Sequence, residues 1–198
     1  MRELPVRFYG YAPDRVVRED IGAPGSERCA TLINYNPAKK KGGTSMPTFR
    51  EGNLFKEDGC KFITANSYLT KDLRLVMGRG AAQELKTIFP GIDKIFGNII
   101  HNTCGHLGLY GLIKHDLCGI FQVKYNFMDK ADLELIKFSI YLLTVEAGNI
   151  GQIIHLNYPG IGYGKLSKEV IRPLLDILPD NVHVWERKES EVWPTHRS

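Results

Sequence analysis

Residues 129–164 read DKADLELIKFSIYLLTVEAGNIGQIIHLNYPGIGYG, and this stretch decides the fold class. Apolar residues recur at three- and four-residue steps from Asp129 to Ala147, which predicts an amphipathic helix that ends at Gly148. The apolar run 150–156 then predicts a buried strand, and a glycine-rich loop follows it. A helix, a buried strand and a further loop into a helix are typical of α/β proteins.

The same alternation extends along the chain in both directions. In chain order, the other predicted elements are β-type runs at 48–55 and 60–66, a helix at 77–89, a hairpin of strands at 107–114 and 119–124, a helix at 165–178 and a strand at 182–185. We therefore predict an α/β fold, a three-layer α/β/α sandwich whose mixed, mostly parallel sheet is covered by helices on both faces.

The chain length suits one domain with an extension. It has 198 residues, and residues 1–46 are rich in Pro, Gly, Arg and Asn with little periodicity. We predict an N-terminal extension over 1–46 that is mostly loop, with one strand near 30–34. The domain itself is predicted over 47–188, and 189–198 form a C-terminal tail.

Composition and charge exclude several classes of protein. Apolar residues make up 43% and charged residues 24%, which excludes a disordered protein, a coiled coil and a collagen-like chain. The net charge of +4 is too small for a nucleic-acid-binding arm, and Lys39–Lys41 are interpreted as a solvated loop. No apolar run approaches the ~20 residues that span a bilayer, and the N-terminus lacks a signal sequence. We expect a cytoplasmic protein without a membrane partner.

Four side chains of zinc-ligand type lie close together in the sequence: Cys104, His106, His115 and Cys118. The run 106–115 reads as extended, so its ends could share a metal only if it folds back at a glycine. A hairpin with incidental, reduced cysteines is the better interpretation. No metal and no cofactor are predicted.

Two glycine-rich loops follow predicted strands and lead into predicted helices. Residues 76–82 read VMGRGAA, and residues 159–164 read PGIGYG. Glycines let the backbone approach an anion, and free N–H groups at a helix start complement phosphate charge. Each loop alone could be a plain tight turn, and the second loop fits neither a P-loop nor the GxGxxG pattern. Together they suggest a diphosphate held between them.

Three segments resemble those of macrodomains, the ADP-ribose-binding modules. Residues 51–55 (EGNLF) resemble the opening G-D-[IL] motif, residues 62–67 (FITANS) resemble V-N-A-A-N, and residues 160–164 resemble the second phosphate loop. The resemblance extends from Glu51 to Trp185 and implies a macrodomain-like sandwich that binds ADP-ribose.

Residues 76–90, VMGRGAAQELKTIFP, are most similar to one branch of the superfamily. They resemble the V-M-G-K-G-x-A-x-x-F-K…F-P pattern of DarG-type antitoxin macrodomains, which remove ADP-ribose from DNA bases. Terminal ADP-ribose glycohydrolase belongs to the same branch. These enzymes carry a lysine just after a central strand, and Lys124 in FQVK (121–124) matches that placement.

The resemblance implies a site with two catalytic residues. Lys124 would act at C1″ of the distal ribose as an amine nucleophile or as a point charge, and Asn66 would orient that ribose. The implied ligand-binding residues are Asn53, Leu54, Ala65, Met77, Gly78, Arg79, Gly80, Ala81, Pro159, Gly160, Ile161, Gly162, Tyr163, Gly164 and Trp185.

The sequence departs from the family pattern in three places. Asn53 stands where the family has an aspartate that accepts a hydrogen bond from the adenine amino group. Gly164 stands where terminal ADP-ribose glycohydrolase has its second catalytic acid. Residues 69–75 lengthen the first loop.

The resemblance therefore implies an ADP-ribosyl glycohydrolase-type hydrolase that removes ADP-ribose from modified nucleic acid or protein. Its partner would be an ADP-ribosylated macromolecule, and a toxin partner is a further expectation. The alternatives are an ADP-ribose 1″-phosphate phosphatase, a non-catalytic ADP-ribose-binding module, and a pocket that accepts another nucleotide. Sequence alone leaves these alternatives open.

Overall fold

A computed structural model describes residues 46–104 and 108–188, together with the backbone of three preceding strands. Nine strands are present in these parts: β1 (Val6–Ala12), β2 (Arg15–Ile21), β3 (Cys29–Ile33), β4 (Thr48–Glu51), β5 (Cys60–Ala65), β6 (Leu112–His115), β7 (Cys118–Gln122), β8 (Ile154–Asn157) and β9 (Val182–Glu186). The helices are α1 (Gly80–Ile88), α2 (Ile92–Cys104), α3 (Leu133–Ala147) and α4 (Lys168–Leu175), and 3₁₀ turns lie at Leu54–Lys56 and Gly162–Gly164.

All nine strands belong to one mixed sheet. Their order across the sheet is β3-β2-β1-β6-β7-β5-β8-β9-β4. The pairs β7–β5, β5–β8, β8–β9 and β9–β4 are parallel, and the remaining pairs are antiparallel. The predicted hairpin is confirmed as β6 and β7, with Asp116 at a positive φ in the turn.

The helices cover both faces of the sheet, as predicted for an α/β/α sandwich. Successive strand residues point to opposite faces, so Phe62 enters one core and Ile63 the other. The core that contains Phe62 includes the buried faces of α3 and α4, whereas the core that contains Ile63 includes those of α1 and α2. Asp132 caps α3, because its Oδ1 accepts hydrogen bonds from the N–H groups of Glu134 and Leu135 at 2.8 and 3.2 Å.

Two parts of the prediction were wrong. The sequence interpretation placed no helix between Pro90 and the hairpin, but α2 occupies this interval. It also predicted only one strand in residues 1–46, whereas β1, β2 and β3 form an antiparallel meander that joins the sheet at β6. The strand expected near 30–34 corresponds to β3. The tail predicted over 189–198 lies outside the described residues.

None of the helices in the described parts of the chain is long and apolar enough to cross a bilayer. The predicted division into an extension and a domain at residues 46 and 47 stays a prediction.

Candidate functional site

The predicted site residues lie where parallel strands end. Asn53 follows β4, Asn66 follows β5, Lys124 follows β7 and Pro159 follows β8. Since these strands run parallel, their carboxyl ends meet at one end of the sheet, where α/β proteins bind ligands.

Lys124 is the most buried cation of the site, with 9% of its surface exposed. Its Nζ donates hydrogen bonds to the carbonyl oxygens of Phe127 at 3.0 Å, Asp129 at 2.9 Å and Tyr163 at 3.5 Å. Three carbonyls match the three hydrogens of an ammonium group. The structure therefore brings Lys124 together with the second glycine-rich loop, which contains Tyr163.

Two opposing influences act on the charge of Lys124. Burial lowers its pKa below the ordinary value, and the positive charges of Lys165 and Arg79 lower it further. Asp129 raises it in part, so the net shift is downward. A lysine in this environment gives up its proton more readily than one at the surface.

The two glycine-rich loops meet beside Lys124. The guanidinium carbon of Arg79, in the first loop, lies 4.9 Å from the ring centroid of Tyr163 in the second loop, which is a cation–π contact. Tyr163 is 58% exposed, so this contact lies at the surface. The loops that the sequence analysis placed around a diphosphate are therefore adjacent in the fold.

The glycines of these loops fall into two groups. Gly78, Gly80 and Gly162 border open space, because an added Cβ would find no atom within 4 Å. Gly160 is packed from behind, because its Cβ would lie 2.9 Å from Ile136 Cδ1 and from Leu166 Cδ1. The first group leaves open space beside the loops, and Gly160 holds the second loop close to the core.

The lengthened first loop is anchored on α2. The N–H of Leu75 donates to the carbonyl of Asp93 at 2.9 Å, and the Asp93 carboxylate pairs with Arg74 at 3.3 Å and with Lys86 at 2.9 Å. Burial raises the pKa of Asp93, but Lys86 and Arg74 outweigh it and hold the pKa below its ordinary value. Gly97 of α2 lies directly against the Leu73 carbonyl. Residues 69–75 therefore have a fixed conformation.

Asn66 is buried, and both ends of its amide are hydrogen-bonded to its own loop. Oδ1 accepts from the N–H of Tyr68 at 2.9 Å, and Nδ2 donates to the carbonyl of Val76 at 2.9 Å. An asparagine that closes a strand end in this way has a structural role. Its predicted contact with the distal ribose stays a prediction, since no ligand is present.

Asn53 is held by partners on two other segments. Its Oδ1 accepts from the N–H of Phe55 at 2.9 Å and caps the 3₁₀ turn, while Nδ2 donates to Glu84 Oε1 at 2.8 Å. The other oxygen of Glu84 accepts from Arg187 at 2.8 Å. The acceptor oxygen of Asn53 is thus committed to the backbone, and Glu84 supplies the nearest carboxylate.

Trp185 lies in the core rather than on the pocket surface. It is buried, and its Nε1 donates to Nδ1 of His155 at 2.9 Å. The Nε2 of His155 therefore carries the hydrogen that is donated to the Asp58 carbonyl at 2.7 Å. Both ring nitrogens of His155 are satisfied, as is typical of a histidine in a core. The guanidinium carbon of Arg50 lies 5.7 Å from the ring centroid of Trp185, and the predicted ligand contact of Trp185 stays a prediction.

The remaining predicted ligand residues are divided by burial. Leu54, Ala65, Met77, Pro159 and Gly164 are buried, whereas Ile161 and Ala81 are half-buried. An open pocket of about 490 Å³ adjoins Lys124. It is lined by Lys124, Tyr125, Asp129, Lys130, Ala131, Asp132, Leu133 and Leu166. Three exposed aromatic side chains lie in neighbouring segments, at Tyr68, Tyr125 and Phe127.

The zinc-type side chains do not form a metal site in the part of the chain that the structure describes. No three His, Cys, Asp or Glu side chains are grouped there in a way that could hold a metal ion. The Cys118 thiol donates to the carbonyl of His115 at 3.3 Å, and Cys104 lies at the end of α2. His106 lies outside the described residues.

Sequence reasoning missed several residues that hold the site. Glu84 and Asp93 bind site loops from helices, and Tyr110 and Gln122 support the strand ends. Their partners at the site are 11 to 44 positions away in sequence, so no local pattern identifies them.

Solved structures provide the comparison with known proteins. The chain superposes on the macrodomain of Mycobacterium tuberculosis DarG with a TM-score of 0.54 and 20% identity, covering 73% of this chain and 99% of that one. The macrodomain of Thermus aquaticus DarG gives 0.53 and 22%, covering 73% and 99%. Thermosipho africanus DarTG in complex with ADP-ribose gives 0.53 and 16%, covering 72% of this chain.

These likenesses show that the chain has a macrodomain fold. The chain spans 42% of the length of the Thermosipho protein. No protein-family model matches the sequence, and no curated protein matches it.

Proposed function

We propose that this macrodomain-fold chain binds ADP-ribose between its two glycine-rich loops and hydrolyses it from modified nucleic acid or protein. The observation that carries the proposal is the position of Lys124, a nearly buried cation at the junction of the strand end and the second loop. One of the similar structures, Thermosipho DarTG, is in complex with ADP-ribose. A toxin that attaches ADP-ribose would be the partner whose product this chain removes.

The loops supply the means of binding a diphosphate. The open space beside Gly78, Gly80 and Gly162 admits phosphate oxygens to backbone N–H groups. Arg79 and Lys165 add positive charge, and besides burial, the main cause, they lower the pKa of Lys124. A dianionic ligand would relieve this repulsion among like charges and gain attraction from them.

Hydrolysis replaces the bond between C1″ and the leaving group by a bond to water oxygen, and one proton passes from water to the leaving group. Lys124 can assist as an ammonium that stabilises the negative charge that develops on the leaving group. Its three carbonyl contacts favour this charged form over the amine that nucleophilic attack requires. We therefore assign Lys124 the electrostatic role.

A non-catalytic ADP-ribose-binding module is the second candidate. Asn66 favours it, because both ends of its amide already bind backbone groups of its own loop, a structural role that does not require catalysis. Such a module requires both loops but not the Lys124 ammonium.

The test measures ADP-ribose release from ADP-ribosylated DNA and from ADP-ribosylated protein, with calorimetric binding of free ADP-ribose on the same samples. Lys124→Ala is compared with the native chain and with Lys137→Ala, which removes an exposed lysine of α3. We expect release by the native chain and by Lys137→Ala, and loss of release with binding retained in Lys124→Ala.

The outcomes separate the candidates. Binding without release by the native chain contradicts hydrolysis and supports the binding module. Release of phosphate from ADP-ribose 1″-phosphate in place of ADP-ribose release would indicate the phosphatase. If the native chain does not bind free ADP-ribose, the proposal is contradicted, and the macrodomain fold serves another ligand here.

A further inference from the structure

The strand end that carries Lys124 is fastened by the side chain of Gln122, the last residue of β7. Gln122 is fully buried. Its Oε1 accepts hydrogen bonds from the N–H groups of Tyr110 at 2.8 Å and Gly111 at 2.9 Å, and its Nε2 donates to the carbonyl of Gly108 at 2.7 Å. A single amide side chain therefore holds the segment 108–111 against β7.

The backbone of Gln122 makes two further contacts. Its N–H donates to the carbonyl of Gly111 at 2.8 Å, and its carbonyl accepts from Oγ of the buried Ser139 in α3 at 2.8 Å. The end of β7 is therefore fixed between the segment 108–111 and α3. Lys124 follows only two residues later, so the contacts of Gln122 also restrict its position.

The segment 108–111 also reaches Asn66. The hydroxyl of Tyr110, a fully buried residue, donates to the Asn66 carbonyl at 3.0 Å. The segment has no space to shift, since a Cβ on Gly108 would lie 2.9 Å from Oγ of Ser67 and one on Gly111 would lie 2.5 Å from a Leu142 methyl group. Gln122 and Tyr110 thus form a continuous buried link between the strand ends of Lys124 and Asn66.

We propose that Tyr110 and Gln122 are positioning residues, which keep Asn66 and Lys124 in a fixed relation across the site. This inference rests on the proposed hydrolysis, because it assigns Asn66 and Lys124 to one reacting centre. Neither residue reaches the pocket surface, since both are fully buried. They act through the two residues that they hold.

The first variant, Tyr110→Phe, removes one hydroxyl and keeps the aromatic ring. We expect the kcat of ADP-ribose release to fall roughly tenfold, as loss of about one hydrogen bond's free energy in the transition state predicts. The Kd of free ADP-ribose should change less than about twofold, because the glycine-rich loops are untouched. Tyr158→Phe is the matched control, since it removes the hydroxyl of another buried tyrosine.

The second variant, Gln122→Glu, replaces the amide by a group of the same shape. A protonated carboxyl can still accept from the backbone and donate to the Gly108 carbonyl, whereas a carboxylate cannot donate. Burial disfavours the carboxylate and raises the pKa of the introduced glutamate. We therefore expect the activity of this variant, relative to the native chain, to decrease as the pH rises. A role limited to stability would not produce this pH profile in kcat.

Hydrogen exchange gives a readout that does not depend on activity. The amide N–H of Tyr68 donates to Asn66 Oδ1, so its exchange reports how firmly Asn66 is held. We expect Tyr110→Phe to accelerate exchange at Tyr68, and Tyr158→Phe to leave it unchanged. If Tyr110→Phe alters neither kcat nor this exchange, the positioning role is overturned.

The two proposals fail in different ways. A native chain that releases no ADP-ribose from either substrate contradicts the proposed hydrolysis. The exchange at Tyr68 then decides by itself whether Tyr110 holds Asn66. A native chain that is active, with an unchanged Gln122→Glu pH profile and an active Tyr110→Phe variant, overturns the positioning inference alone.

Discussion

Gly97→Ala is expected to destabilise the protein although alanine is the better helix former. Gly97 lies within α2, on the face that contacts the first loop. A Cβ at this position would overlap the carbonyl oxygen of Leu73 and lie 2.9 Å from its carbonyl carbon and 3.0 Å from the nitrogen of Leu75. These neighbours are backbone atoms, so no side-chain rotation can relieve the overlap.

The magnitude follows from two opposing contributions. Overpacking against backbone costs about 3 kcal/mol, the upper end of the usual range. The higher helix propensity of alanine contributes about 1 kcal/mol in the other direction. The net loss is about 2 kcal/mol in the free energy of unfolding, or about 4–8 °C in Tm for a chain of this size.

Urea denaturation measures this loss, with Gly148→Ala as the matched control. Gly148 ends α3 with an ordinary helical φ of −68°, and its added Cβ would make a normal contact of 3.6 Å with the Val145 carbonyl. We expect this control to be more stable than the native chain by about 0.4–1 kcal/mol. If Gly97→Ala is as stable as the native chain, the close packing of α2 on residues 73–75 is refuted.

Three further results are expected. Asn53→Asp replaces the amide nitrogen that lies 2.8 Å from Glu84 Oε1 by a second carboxylate oxygen. Repulsion between the two carboxylates should lower the free energy of unfolding by about 1–2 kcal/mol at pH 7. Thermal melts at decreasing pH should show this loss disappear as the carboxylates become protonated. Burial lowers the pKa of His155, so the folded state binds fewer protons than the unfolded state below about pH 6.5, and stability should fall with decreasing pH in that range. Melting curves of the native chain and His155→Leu check this, since the variant should lack that part of the slope. Lys124→Arg keeps the positive charge without a nucleophilic amine and should release ADP-ribose roughly tenfold faster than Lys124→Ala, whereas equal loss in both variants would indicate a nucleophile.

The elements that sequence predicted well are those whose signals are local. The helix α3 has an apolar stripe, an aspartate cap and a glycine at its end, and all three can be read from neighbouring residues. The inner parallel strands β5, β7 and β8 are short runs rich in apolar residues between loops, so the α/β class followed from their alternation with helices.

The helix α2 was missed although its isoleucines and Phe96 recur at three- and four-residue steps. It contains Gly97 in its interior together with Asn98, Asn102 and Thr103, all weak helix formers, and these obscured the apolar pattern. The apolar face of the helix packs in the core beside the first loop. The strand β1 was missed for another reason, because its partner β6 lies about a hundred positions further along the chain.

The sequence predicted the two loops of the candidate site, but it did not predict the hydrogen-bond partners of the site's side chains. The glycine spacing of the two loops located them correctly beside one another. Asn53 and Trp185 stay predicted ligand contacts, whereas the hydrogen bonds that hold them, from Asn53 to Glu84 and from Trp185 to His155, were not foreseen. Trp185 and His155 are 30 positions apart, so the fold brings them together and no local sequence pattern predicts their hydrogen bond.

The pairing of β1 with β6 also determines what the rest of the sheet presents to other molecules. In a version of the chain beginning at residue 47, the outer N–H and C=O groups of β6 would have no strand beside them. The exposed N–H and C=O groups of such an edge strand can form hydrogen bonds with a strand of another chain, which leads to aggregation. The N-terminal meander thus covers β6, and a chain shortened to residues 47–198 is expected to aggregate more readily than the full chain.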